Sequence, residues 1–466
     1  NYAVGTHNCL TIPFDDLLAN GFKTRQTDVR PAKSINTAMQ LVAVIFQLQS
    51  LQQFGGVSAS HIDWTMVPYV RMSFYKNYVD GMKFLMNQTF STKSLNKEPR
   101  DISINDELYL ANPVAYNYAL EMTTRECHQA VEGMYHNLNT LQSRSGNQLP
   151  FTSINYGTCT LPEGRLVTTA LLEVSIEGLG EYGRTSIFPC GIFQCMKGVN
   201  REPGTPNYDL FKLALKSTSQ RIYPNYCNCD TTMNAGYDKN DPTTYYATMG
   251  CRTVNGFDIN GMGQKKDGRG NICPVTIILP TLAMEAKLQC EEETSGKYDD
   301  NMLIDYFMRL LETKIEEAKD ILIERFNWIC KQPMESAKFM YENGTMAGYV
   351  PEEGIVSALK HGTLTIGLLG MNEASHALID SDHYVGLGKE LTDKVVNLYT
   401  AKCKEYKESL RLNFAVYYTP AENLCHTALK NFRKKYGVIP GVSDRDYFTN
   451  SIHVPVWKEM SPFEKI

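Results

Sequence analysis

The chain of 466 residues carries 46 Lys and Arg against 51 Asp and Glu, a formal net charge of -5, with 43% hydrophobic residues. That length supplies apolar sequence for a large core, and an acidic balance without any basic run excludes a nucleic-acid track. No apolar stretch approaches the ~20 residues of a membrane span, and the start, NYAVGTHNCL, lacks the basic opening and apolar run of a signal peptide, so a cytoplasmic protein is expected.

In chain order, Cys9 lies in a β-type run, THNCLTIPF. Residues 34 to 53 carry Ile35, Ala38, Met39, Val42, Ile45 and Phe46 at helical spacing after a capping Ser34, and Gly55 and Gly56 stop the element. The glutamines at 40, 47, 49, 52 and 53 suit either a polar helix-helix interface or a solvated face. From 89 to 113 helical period is lost, which reads as an insertion or surface loop, and a long helix follows through about 142. Compact β-type runs come next, at 149 to 157, 185 to 193, 273 to 280, 362 to 370 and 413 to 420, with helical periods between them such as Leu303, Phe307, Leu311, Ile315 and Leu322. Runs apolar at nearly every position belong to strands covered on both faces. Their alternation with helices predicts an α/β barrel or a large doubly wound sheet, in one catalytic-type domain.

Thirteen cysteines, an odd number without regular spacing, fit a reducing compartment. Cys227 and Cys229 are set too closely for paired zinc ligands and read as a polar loop. Cys290, Cys330 and Cys403 fall in helical segments and read as small core residues. Cys251, in YYATMGCRTVNG, sits between glycines where the chain can turn tightly, and a long polar loop follows it. In YYTPAENLCHTALK, residues 417 to 430, a strand ends and a helix begins within a few residues. The amides of such a helix start attract phosphate, although a capped helix without ligand has the same pattern.

Taken together, HNCLTIPFDDLLANGF, PAKSINTA with QQFGG, MGCRT, GRGN before VTIILP, YYTPAENLC and YFTNSIHVPV with SPFEKI resemble the anaerobic, class III ribonucleoside-triphosphate reductases, in that family's order and across nearly the whole chain. The resemblance implies an α/β fold of the glycyl radical enzyme type: a ten-stranded α/β barrel over residues 1 to 466 with a central finger loop carrying a cysteine. It implies that Cys251 becomes a thiyl radical that takes the 3′ hydrogen of the substrate, so that the 2′ hydroxyl leaves as water. Cys9 then donates hydrogen to the 2′ carbon from the opposite face, and Asn271 marks the branch that uses formate as reductant. The turn of Thr419, Pro420, Ala421, Glu422 and Asn423 holds the ribonucleoside triphosphate. Lys33 meets an effector nucleotide (ATP, dATP or another deoxynucleotide) where the helix at 34 to 53 packs on its mate in a homodimer.

The resemblance also implies a glycyl radical, installed by a radical-SAM iron-sulfur activating enzyme, and a zinc module, both on a C-terminal segment. Neither motif occurs in this sequence, nor do the N-terminal ATP cone and the HxHD stretch, so the chain is expected to be the core of a longer protein. Two alternatives stay open: a formate-lyase or dehydratase of the glycyl radical type, and a non-catalytic nucleotide-binding homodimer. TPAENLC and MGCRT favour a nucleotide substrate over the first, and Cys9, Cys251 and Asn271 stand against the second.

Overall fold

The structure, a computed structural model, describes residues 8–53, 55–92, 97–143, 147–250, 253–419 and 421–465. The strands are β1 (Cys9–Thr11), β2 (Phe22–Lys23), β3 (Asp28–Val29), β4 (Val57–Ala59), β5 (Thr152–Tyr156), β6 (Cys190–Cys195), β7 (Asn225–Asn228), β8 (Thr248–Met249), β9 (Thr253–Val254), β10 (Arg269–Ile278), β11 (Thr363–Leu369) and β12 (Asn413–Tyr418). All five of the later β-type runs contain a strand, and β5 and β11 are buried at every position, as expected of strands covered on both faces.

Two compact units divide the chain, Asn1–Asn271 with Gln332–Gly362, and Ile272–Lys331 with Thr363–Ile466. In the first, β1 pairs antiparallel with the start of β10 and parallel with β4, and β4, β5, β6 and β7 follow in parallel. In the second, β11 neighbours β10 and pairs parallel with β12, Thr363 opposite Asn413 through Leu368 opposite Tyr418. The hydrogen-bonded order among the described residues is β12-β11-β10-β1-β4-β5-β6-β7, a mixed α/β fold with eight strands and two ends. The resemblance implies ten strands in a closed ring. At one end, β7 exposes Asn225, Tyr226 and Asn228 and buries only Cys227, which is the pattern of an edge strand.

Helix Ile35–Ser50 forms as its period predicts: the Ser34 side chain accepts a hydrogen bond from Thr37 N at 3.2 Å, and the apolar face is buried against helix Pro113–Thr140. Its glutamines divide between two environments. Gln40 is exposed, whereas Gln49 is fully buried, donating to Gln53 Oε1 at 2.9 Å and accepting from Thr345 Oγ1 at 2.9 Å. Gln53 in turn donates to Gly56 O, so two of the five serve the helix end internally. Within 89 to 113, Ile102, Ile104 and Tyr109 are buried, Tyr109 packing on Phe74 and Tyr78, so part of that stretch joins a small core. In the second unit, Asp299 caps helix Asp300–Cys330, which buries Leu303, Phe307, Leu311, Ile315 and Leu322. No helix of the described residues is long and apolar enough to cross a membrane.

Candidate active site

Cys9 and Asn271 stand directly opposite each other where β1 and β10 pair, and Asn8 N donates to Asn271 O at 2.9 Å. Opposed residues of an antiparallel pair point to one face with Cβ atoms about 4.5–5.5 Å apart, which puts thiol and carboxamide side by side. Both are buried, Cys9 at 7% and Asn271 at 1% exposure. Gly270 explains part of the GRGN motif: a Cβ there would lie 2.3 Å from Cys9 O, so only glycine lets the two strands approach this closely.

Cys251 lies outside the described residues. Its flanks form a two-stranded ribbon, β8 with β9, in which Thr248 pairs with Val254 and Met249 with Thr253. Polar side chains of the sheet hold the incoming leg. Asn155 on β5 donates to Thr248 O at 3.0 Å and accepts from Thr248 N at 3.0 Å, Ser58 on β4 donates to the same carbonyl at 2.9 Å, and Gln194 on β6 donates to Tyr246 O at 2.9 Å. Gly250 N donates to Ser153 Oγ at 3.0 Å. Ser58, Ser153, Asn155 and Gln194 are all fully buried, and the sequence reading did not single them out. The available signal was a polar residue at every second position of an otherwise apolar strand, Ser153 and Asn155 in TSINY. Gly250 has φ +62°, and a Cβ on it would meet the Phe151 ring at 2.8 Å. Gly250→Ala is therefore expected to cost about 1–3 kcal/mol of stability. A denaturant midpoint unchanged from wild type would show that the turn tolerates a side chain.

The polar loop after β9 is folded inward around buried charges. Asn255 Nδ2 donates to Lys266 O at 3.2 Å and to Arg269 O at 3.0 Å. Arg269, fully buried, donates through Nη1 to Gly256 O at 2.9 Å and Lys265 O at 2.7 Å and through Nε to His361 O at 3.0 Å. Asp258 faces His361 Nδ1 at 2.8 Å and accepts from Met262 N at 2.9 Å. Burial lowers the Arg269 guanidinium to about 10, against the opposing pull of Asp258. Burial, with the Arg269 charge adding to it, lowers Lys266 to about 7, and Lys266 Nζ donates to Asn255 O at 2.9 Å.

A second buried network joins the ends of β1 and β4 to the start of β10. His61 meets Asp15 Oδ2 through Nε2 at 3.1 Å and Ser60 Oγ through Nδ1 at 2.5 Å, while Ser60 Oγ donates to Asp267 and Thr65 Oγ1 donates to Asp15 at 2.6 Å. Burial alone would discharge His61, but the carboxylates of Asp15 and Asp267 outweigh it and raise its pKa to about 9. Asp267 is pushed up to about 6, because burial exceeds the help from His61.

The second unit carries the remaining candidate residues. Thr419 is buried, its hydroxyl 2.9 Å from Thr276 Oγ1, and Pro420 lies outside the described residues. Helix Glu422–Tyr436 begins at once, with Glu422 and Asn423 exposed. Asn450, which the sequence reading quoted only within a motif, ties this start down: its Oδ1 accepts from Ala421 N at 3.1 Å and its Nδ2 donates to Glu422 Oε1 at 3.3 Å. Lys33 is exposed beside the capped start of helix Ile35–Ser50. Among the described residues no group of three or more His, Cys, Asp or Glu side chains could hold a metal ion.

The family model for anaerobic ribonucleoside-triphosphate reductase matches residues 1–466. Curated proteins of that description include one from Escherichia coli (strain K12), 30% identical over 466 residues, with 98% of this chain and 59% of the relative covered. The protein of Haemophilus influenzae is 29% identical over 465 residues with the same two shares, and that of Enterobacteria phage T4 is 28% identical over 463 residues, covering 98% of this chain and 68% of the phage protein. The chain thus spans 59% of the length of two of these relatives. Among solved structures, the anaerobic ribonucleotide reductase of Thermotoga maritima in complex with dATP and CTP is similar with a TM-score of 0.66 at 14% identity, over 100% of this chain and 68% of that one. A second structure of the Thermotoga protein, with dATP bound in the specificity site, gives 0.64 at 14% identity over 98% and 67%. At such identities the likeness to these structures concerns the fold, while the sequence match over the full span settles descent: the chain belongs to the anaerobic ribonucleoside-triphosphate reductase family.

Proposed function

We propose that this chain carries the substrate-reducing core of an enzyme that converts ribonucleoside triphosphates to deoxyribonucleoside triphosphates without oxygen. The observation that carries the reading is the register of β1 on β10, which sets the Cys9 thiol beside Asn271, with a ribbon flanking Cys251 held on the neighbouring strands of the same unit.

The glycyl radical of a C-terminal segment would supply the chemistry that removes a hydrogen atom from the Cys251 thiol. Cys251 then takes the 3′ hydrogen of the ribose, the 2′ hydroxyl leaves with a proton as water, and Cys9 returns a hydrogen atom to the 2′ carbon. Formate closes the balance: one nucleotide, one formate and one proton yield one deoxynucleotide, one carbon dioxide and one water. Asn271 has the donor and acceptor of a carboxamide to orient formate and the ribose hydroxyls. The turn from Thr419 to Asn423 would hold the triphosphate through the amides of the helix start. Lys33 and helix Ile35–Ser50 would bind the effector in a homodimer, and a closed barrel with a finger loop is the finer fold that this chemistry uses. The described residues do not fit the zinc of a C-terminal module, and no step here runs through it.

The test is anaerobic turnover of CTP by the activated protein with isotopically labelled formate. One labelled carbon dioxide per deoxynucleotide is expected. Deoxynucleotide formed at the same rate without formate overturns the choice of reductant, and none formed with formate and activating enzyme present overturns the reading.

A further inference from the structure

The ribbon is fastened on both sides, and the two sides differ in kind. The leg before Cys251 is held by Ser58, Asn155 and Gln194 from parallel strands. The leg after it is held to β10, the strand that carries Asn271. Asn255, four residues past Cys251 and 1% exposed, donates from one carboxamide nitrogen to the carbonyls of Lys266 and Arg269. The same nitrogen lies 3.6 Å from the Met249 sulfur on the opposite leg, so one side chain bridges both legs and the strand behind them. Arg269 sits two residues before Asn271, hence on the same face of β10, and donates to Gly256 O and Lys265 O. Lys266 closes the loop by donating to Asn255 O.

We propose that Asn255 and Arg269 are positioning residues for hydrogen-atom transfer: they set the distance and direction of the ribbon tip relative to the strand bearing Asn271 and its partner Cys9. Neither touches substrate in this proposal. Radical transfer between sulfur and carbon depends on near-contact geometry, and a displacement of about 1 Å is enough to cost on the order of 10²-fold in rate. Removing the carboxamide donors of Asn255 loosens the outgoing leg, which Lys266 and Arg269 still hold through the carbonyls of Asn255 and Gly256, and leaves the ties of the incoming leg to Ser58, Ser153, Asn155 and Gln194 intact, so the ribbon stays attached but loses its aim.

The proposal rests on the assignment of Cys251 as the hydrogen abstractor, and the experiment separates the two. Asn255→Ala and the nearly isosteric Asn255→Asp, which keeps Oδ1 but loses both donors, are compared with wild type and Cys251→Ala in the activated enzyme. With Asn255 changed, kcat is expected to fall roughly 10- to 100-fold with KM for the nucleotide within about twofold. The isotope effect of 3′-deuterated nucleotide on kcat is expected to rise, since hydrogen abstraction becomes slower than product release, while glycyl radical content after activation stays at the wild-type level. Wild-type kcat in either folded variant overturns the proposal. So does a loss of kcat that only tracks the folded fraction and leaves the isotope effect unchanged, which is what a merely structural role would give. Arg269→Lys, retaining charge but not the paired donors, is expected to show the same rise in isotope effect, and an unchanged effect removes Arg269 from the assignment. If Cys251→Ala itself turns over, the underlying reading fails instead.

Discussion

Cys251→Ala is expected to abolish turnover while the protein folds normally. On the proposed reading the substitution removes the atom that carries the unpaired electron to the ribose, and Cys9, assigned to the return of hydrogen at the 2′ carbon, does not take over that role. A residual rate below about a thousandth of wild type is expected, as for removal of a group on which the chemical step depends. Stability should barely move. The bonds that hold the leg before it come from Ser58, Ser153, Asn155 and Gln194 and meet residues 246, 248 and 250, and those of the leg after it meet residues 255 and 256, so none of them depends on the side chain at 251. Thermal unfolding within a degree or two of wild type, beside an anaerobic assay with no deoxynucleotide, is the expected pair of results. Turnover above about one per cent in that variant would contradict the role assigned to this thiol.

His61→Ala is expected to be the most damaging single change to stability outside the apolar core. It leaves Asp267 and the Ser60 hydroxyl, and the half-exposed Asp15, without their shared partner; breaking a fully buried pair costs about 3–5 kcal/mol, and the access of water to Asp15 lowers that to about 2–3 kcal/mol here. The pH dependence gives an independent check. His61 has a folded-state pKa of about 9 against 6.5 in the unfolded chain, so the folded form binds the extra proton. Its stabilisation is fully present below about 6.5 and is lost as pH rises through about 9. The difference in unfolding free energy between wild type and His61→Ala should therefore shrink across that window. A difference that stays constant from pH 6 to 9, measured by urea unfolding, would show that the imidazole is held for its shape and not its charge.

Much of the scaffold was legible because it rests on local periodicity. The Ser34 cap and the apolar stripe from Ile35 to Phe46 are enough to mark a helix, and the largely apolar runs around Ile154, Ile366 and Phe414 are enough to mark strands. The pairing of Cys9 with Asn271 was not legible from spacing, since a three-residue strand has too little alternation to declare its register. The resemblance of the motifs named both residues without stating that their strands pair. The loop after β9, NGFDINGMGQKKDGRG, reads from composition only as a polar loop with several glycines, and the burial of Asn255, Asp258, Lys266 and Arg269 is not visible in it. Their partners are mainly backbone carbonyls and amides, which every residue possesses, so no sequence pattern announces them. Gln49 was obscured for a different reason, one of its two side-chain partners being Thr345, 296 residues further along the chain.

The position of β1 bears on how the molecule comes into being. In the sheet it lies between β10 and β4, an interior strand whose antiparallel neighbour follows it by about 260 residues. At roughly 5–20 residues per second, that neighbour follows only after some 13 to 50 seconds of synthesis. β4 can pair with β1 early, on one side. The other side, with the Cys9 backbone on it, waits as an open edge of the kind that recruits foreign strands, until Arg269 to Asn271 arrive. Closure of this side of β1 is thus tied to translation reaching the GRGN segment, and a ribosome stalled before it would leave a nascent protein with an open strand edge at Cys9.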